Sequence, residues 1–188
     1  MNSMSRGYYD PCKKEKERKE EEKHCPTIVK CGCPSSTTLP IATPVGTTFT
    51  LASLTLDTSC LCDPSIKLEF ASNVVIPVAA SGAVSIQIFK QCRGQVAPVP
   101  VGPAWTWSEL VAVASSSAFS FFVCDSDSCF DDCCTYTAVA TVTTIIAGGT
   151  ISFNNNTLGA VATCKSNNCK KECHRRHERK CHCDRDCD

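Results

Sequence analysis

Ile66-Lys67-Leu68-Glu69-Phe70 is the stretch on which the fold turns. Successive side chains of a strand point to opposite faces, so Ile66, Leu68 and Phe70 belong to a core while Lys67 and Glu69 meet water. Val84-Ser85-Ile86-Gln87-Ile88-Phe89 repeats the pattern with Val84, Ile86 and Ile88 inward. Working outward, residues 47–56 alternate as Phe49/Leu51 and then Leu54/Leu56, with a slip of one position at Ala52-Ser53. A bulge there keeps both pairs on the inner face. Residues 118–124 and 135–146 read as further strands, and 150–163 as one or two more. Turn signals separate these runs at Asp63-Pro64, Ser81-Gly82, Arg93-Gly94, Gly102-Pro103, Gly148-Gly149 and Asn154-Asn155-Asn156. The one helix-like candidate is residues 108–114, where β-branched valines argue against it. Many short strands with almost no helical period predict an all-β fold over residues 35–164, an antiparallel β-sandwich or jelly roll.

Both flanks depart from this pattern. Residues 1–24 form a charged arm. Its run from Lys13 to Lys23 has no apolar side chain, so it has no face to bury and reads as a solvated, partly helical or disordered extension. Residues 25–34, Cys25-Pro26-Thr27-Ile28-Val29-Lys30-Cys31-Gly32-Cys33-Pro34, contain a short β-prone piece closed off by proline at either end. Two readings stand for it: a connector strand that adds to a neighbour's sheet edge, or the first strand of its own sandwich. Residues 165–188 form a basic tail with almost nothing apolar except cysteine, so only disulfides or metal could order it. Residues 35–164 carry 3 basic and 8 acidic side chains, against 8 and 6 in residues 1–34 and 8 and 5 in the tail. A mildly acidic middle between mildly basic ends permits attraction between copies.

There are 17 cysteines among 188 residues, an odd number, so a fully paired monomer leaves a thiol over. Such usage suits a disulfide framework in an oxidising setting. Yet Met1 to Lys23 has no apolar signal core, and no run is long and apolar enough for a membrane helix. A protein made inside a cell that later lyses reconciles the two. A spore surface, reached without a classical signal peptide, has that history. The cysteines cluster at segment ends, as Cys31/Cys33, Cys60/Cys62, Cys124/Cys129 and Cys133/Cys134. Adjacent Cys133 and Cys134 point to opposite faces of a strand, so one can staple the domain while the other reaches a neighbour.

Little argues for catalysis. No glycine-rich phosphate loop follows a strand, and no Gly-x-Ser-x-Gly elbow occurs. His24, His174, His177 and His182 all lie in the flanks, so the β core has no imidazole for acid–base work. An enzyme is not expected. The carboxylates of 125–132 alternate as for a hard cation, but read better as a solvated loop stapled by cysteines. In the tail, Cys169, Cys173, His174, His177, Cys181, Cys183 and Cys187 are enough soft ligands for Zn²⁺, at spacings that match no ordinary finger. A metal-binding coat protein is therefore the alternative reading; otherwise no cofactor is expected. The tails interleave acid with base and the C-terminal one lacks aromatics, so nucleic acid is not an expected partner. Trp105 and Trp107 lie near a Pro/Gly-rich turn, where sugar stacking competes with ordinary partial burial.

Several blocks carry a resemblance: Ile28–Gly32, Gly46–Cys60, Ile66–Asn73, Phe89–Cys92 and Phe122–Tyr136. They resemble DUF4489, a domain family of spore-forming clostridia, over most of residues 28–164. In layout that family is similar to the jelly-roll pilins of endospore appendages, whose N-terminal connectors reach into preceding subunits and form disulfides there. The resemblance implies a self-assembling structural subunit of a spore appendage or spore-surface fibre, joined by strand complementation. Its partners would be copies of itself and other spore-coat proteins. It places Cys25, Cys31 and Cys33 in the connector, with core cysteines, Cys60, Cys62, Cys133 and Cys134 among them, as interchain candidates. The long arm and the Cys/His tail depart from such pilins.

Overall fold

The computed structural model describes residues 25–59, 61, 63–111, 113–126 and 133–165. The charged arm, Cys60, Cys62, and the tail cysteines and histidines from Cys169 to Cys187 lie outside the described residues. Nine strands follow in chain order: β1 (Ile28–Cys31), β2 (Ser35–Leu39), β3 (Thr48–Asp57), β4 (Pro64–Ile76), β5 (Ala80–Cys92), β6 (Val99–Val111), β7 (Ser115–Asp125), β8 (Cys133–Ala147) and β9 (Ile151–Cys164). No helix occurs among the described residues.

The strands form two antiparallel sheets. Sheet A runs β1-β9-β4-β7, with β2 also on β9, beyond β1; sheet B runs β3-β8-β5-β6. Chain neighbours β3 and β4, or β6 and β7, thus lie in opposite sheets in the two-Greek-key winding of a jelly roll. Period-2 alternation builds the core between them. Leu68 and Phe70 from β4, Phe153 and Leu158 from β9, Ile86 and Ile88 from β5, and Tyr136 from β8 are all fully buried. Trp107 of sheet B meets Phe153 of sheet A edge-on, ring centroids 5.9 Å apart, which ties the layers across the core.

The slip expected in β3 is present as a register shift against β8 between Thr50 and Ala52, and Leu51, Ala52, Leu54 and Leu56 are all buried. Other expectations fail. Ser81-Gly82 lies inside β5, Gly102-Pro103 inside β6 and Asn154–Asn156 inside β9, where turns were expected. The helix-like residues 108–111 belong to β6, paired along β5. The breakers are absorbed as irregularities inside the strands: the β5–β6 ladder skips from Val101 to Trp105, and the β4–β9 register shifts between Asn154 and Thr157. Gly102 shows how: its φ is 65°, and a Cβ there would stand 2.9 Å from Val123 of β7, so only glycine lets β6 kink this close to its neighbour.

The β-prone piece at 28–31 pairs with β9 of its own chain, as Ile28↔Ala162 through Cys31↔Gly159. Gly32 follows it, and a Cβ there would meet the Ser53 carbonyl oxygen of β3 at 2.3 Å. The missing side chain thus lets the chain cross from sheet A toward β3. Ser35 Oγ donates to the Leu51 carbonyl, and Thr37 Oγ1 to the Thr50 carbonyl at 3.2 Å, which seals that rim.

Candidate functional site

The outer face of sheet A is a lattice set by strand register. One row across it is Val29–Val161–Lys67–Cys124 and the next is Cys31–Gly159–Glu69–Phe122. Residues directly opposite one another project from the same face. Cys31 therefore stands on β1 and Cys124 on β7, at the two opposite edges of one face. Both are free thiols and both are exposed. Between them the face is partly apolar, with Val29 69% and Phe122 58% exposed. Lys67 Nζ sits 5.1 Å from the Phe122 ring centroid and 3.2 Å from Glu69 Oε2. Because Gly159 has no side chain, a shallow groove of about 270 Å³ opens beside Val29, Cys31, Lys67 and Glu69.

Sequence reading proposed seven cysteines for links between chains, and the structure sorts them. Cys25 is bonded to Cys164 within the chain, Cα atoms 6.0 Å apart, and Cys134 to Cys92 at 4.0 Å. These two differ from the expectation because antiparallel pairing already sets each beside an internal partner: Cys92 and Cys134 are direct cross-strand neighbours, and Cys25 precedes β1, whose partner β9 ends at Cys164. Cys33 is also disulfide-bonded. Cys133, half-buried, points away from the core opposite Cys134 and lines, with Cys31 and Cys33, a groove of about 1100 Å³ beside Thr50, Thr55 and Arg93. Cys31 remains as a free, exposed thiol. Cys124 was not among the seven. Its signal was present, since Phe121 and Val123 face inward and so turn Phe122 and Cys124 outward.

A second cluster lies between the sheets. Lys90 of β5, Asp125 of β7 and Tyr136 of β8 are buried together. Lys90 Nζ and the Tyr136 hydroxyl each donate to Asp125 Oδ2 at 2.8 Å. Burial, then the Asp125 charge and its hydrogen bond, push the Tyr136 phenol far above its ordinary value. Asp125 was expected in a solvated acidic loop; its parity on β7 sends it inward instead. Lys90 continues the inward series Val84, Ile86, Ile88, which was the signal for it. No cluster of three or more metal-ligating side chains occurs among the described residues. No helix among them is long and apolar enough to cross a membrane. Trp107 is buried, and Trp105, 42% exposed, stacks on Phe121 at 5.6 Å between centroids.

Strand order and internal disulfides define a cysteine-stapled jelly-roll domain. Residues 25–163 match the family described as "Domain of unknown function (DUF4489)", and the chain belongs to that family. No curated protein matches the sequence. Among solved structures, a chain of infectious bursal disease virus strain Gx is similar at 12% identity and TM-score 0.46, over 74% of this chain and 32% of that one. A non-crystalline-cellulose-specific carbohydrate-binding module, CBM28, is similar at 14% identity and TM-score 0.37, over 65% of this chain and 73% of the module. The tailspike protein 4 of bacteriophage CBA120 is similar at 10% identity and TM-score 0.33, over 74% of this chain and 20% of that one. The present chain thus spans about a third of the viral chain's length.

Proposed function

We propose that this chain is a structural, non-catalytic subunit that joins copies of itself head to tail along sheet A, with a Cys31–Cys124 disulfide locking each joint. The carrying observation is the pair of free thiols at opposite edges of one sheet face. β1 and β7 run in opposite directions, because each of the three steps β1-β9-β4-β7 is antiparallel. Copies set side by side in one orientation therefore pair β1 with the next β7 in the antiparallel sense, and both outer faces stay on the same side. Cys31 lies one row away from Cys124, so a slide of two residues, about 7 Å, sets them opposite each other. Opposed residues of antiparallel strands have Cα atoms about 4.5–5.5 Å apart, within disulfide reach. Each bond releases two protons and two electrons to an oxidant such as dioxygen or a small disulfide.

Such a contact uses different surfaces on the two partners and does not close on itself, so it builds fibres. β1 acts as the complementing strand and β7 as the receiving edge. A cross-linked fibre suits a spore appendage or spore surface.

Non-reducing gels and electron microscopy of the oxidised full chain test the reading. The expected result is a covalent ladder and fibres that revert on reduction. Cys31→Ser and Cys124→Ser alone each abolish the ladder. An equal mixture of the two gives covalent dimers and nothing longer, because only one joint can close. A ladder that persists in the double variant overturns the proposal.

A further inference from the structure

We propose that Lys90 and Asp125 condense into an intramolecular isopeptide bond, so that β5 and β7 become covalently joined through the core. Both side chains are more than nine-tenths buried, at 8% and 4% exposure, and lie 2.8 Å apart, nitrogen to oxygen. In water an amine and a carboxylate stay ionised and do not react. In an apolar interior the charged forms lose their hydration, and passing a proton from ammonium to carboxylate yields a neutral amine and a neutral acid, the pair that can form an amide. The surrounding β-sheets hold the two groups in contact, which replaces a bimolecular encounter.

Tyr136 supplies the missing proton path. It sits opposite Lys90 in the β5–β8 ladder, and its hydroxyl donates to the same Asp125 oxygen, Oδ2, at 2.8 Å. The step balances without a co-reactant. The ammonium gives one proton to Oδ2; Nζ then attacks Cγ. Tyr136 hands its proton to the Oδ2 hydroxyl and takes one from the nitrogen. The Cγ–Oδ2 bond breaks, the Nζ–Cγ bond remains, and one water leaves. The product removes a buried charge pair whose desolvation is costly.

The position gives the bond a purpose. Cys92–Cys134 joins β5 to β8 within sheet B, and Cys25–Cys164 joins the β1 segment to β9 within sheet A. Lys90–Asp125 would link sheet B to sheet A, the direction in which neither of these disulfides acts.

Intact-mass measurement of the full chain, denatured and fully reduced, is the test. The expected mass is one water below that of the sequence, and proteolysis yields a single branched peptide joining the segments of Lys90 and Asp125. Lys90→Arg restores the full mass. Asp125→Asn reaches the same linked product by losing ammonia in place of water. Tyr136→Phe lowers the linked fraction in freshly folded protein. A full sequence mass for folded wild-type chain, or a water loss mapped to other residues, overturns the proposal; neither depends on a variant folding.

Discussion

Sheet A ends on β7 and sheet B on β6, and the two strands offer a neighbour different things. β6 carries Pro100 and Pro103, which lack an N–H to donate, and kinks at Gly102. Such an edge resists further pairing. β7 has neither proline nor glycine, and its one charged residue, Asp125, is turned into the core. Pairs are formed with β4 on one side only. Among the described residues, the two exposed free thiols also belong to sheet A: Cys31 at one edge, Cys124 at the other. One sheet thus offers an edge open to extension and the other an edge that resists it, and under the proposed joint growth would take a single direction.

The sharpest way to break this contrast is to block one edge and then the other. Ser120 on β7 and Ser108 on β6 are both exposed. A lysine at an edge discourages strand addition, while single surface changes usually alter stability by no more than about 0.5 kcal/mol. Ser120→Lys is expected to abolish the oxidised ladder, and Ser108→Lys to leave it intact, with thermal midpoints of both near that of the parent chain. Equal loss in both variants would show that the two sheets do not differ as argued.

The two faces of sheet A differ in the same spirit. Phe153 is fully buried against Trp107, whereas Val29 stands in solvent. Urea unfolding of the cysteine-double variant, which keeps the chain monomeric, is expected to show Phe153→Ala losing about 3–5 kcal/mol. Val29→Ala should fall within about 0.5 kcal/mol. If Val29→Ala costs as much as Phe153→Ala, the outer face is packed and not open.

Strand parity made most of this legible. Ile66, Leu68 and Phe70, the β3 slip and the inward run from Val84 were read correctly because each is a local pattern with one period. β6 was hidden: its Gly102-Pro103 breaks the local rule, and only the pairing of Val99–Val111 with β5 restores it. The site was legible in part. Cys31 lay in the segment expected as a connector, which pairs with β9 of its own chain, and the outward parity of Cys124 was readable but not applied. Cys25 and Cys134 were read as links to neighbours, because which cysteine meets which is decided by long-range register, not by spacing. The buried cluster was missed since a Lys, an Asp and a Tyr from three strands carry no common motif.

That cluster belongs to the finished interior, and pH sharpens its difference from the open face. The Tyr136 phenol is held protonated in the fold, first by burial and then by Asp125. Burial remains whatever state the neighbouring carboxyl adopts. The unfolded chain releases this proton near the ordinary tyrosine value, about pH 10. Folded protein thus binds more protons than unfolded protein above that pH. The stabilisation is complete below about pH 10 and declines as pH rises, by about 1.4 kcal/mol per unit from this one group. Urea midpoints of the cysteine-double variant, measured from pH 8 upward, should therefore turn down above about pH 10. Tyr136→Phe should lower the neutral-pH stability by about 1–3 kcal/mol for the lost hydrogen bond to the Asp125 side chain, yet flatten the alkaline slope. An unchanged slope in Tyr136→Phe would mean that the alkaline loss arises elsewhere and that the buried phenol is not held as described.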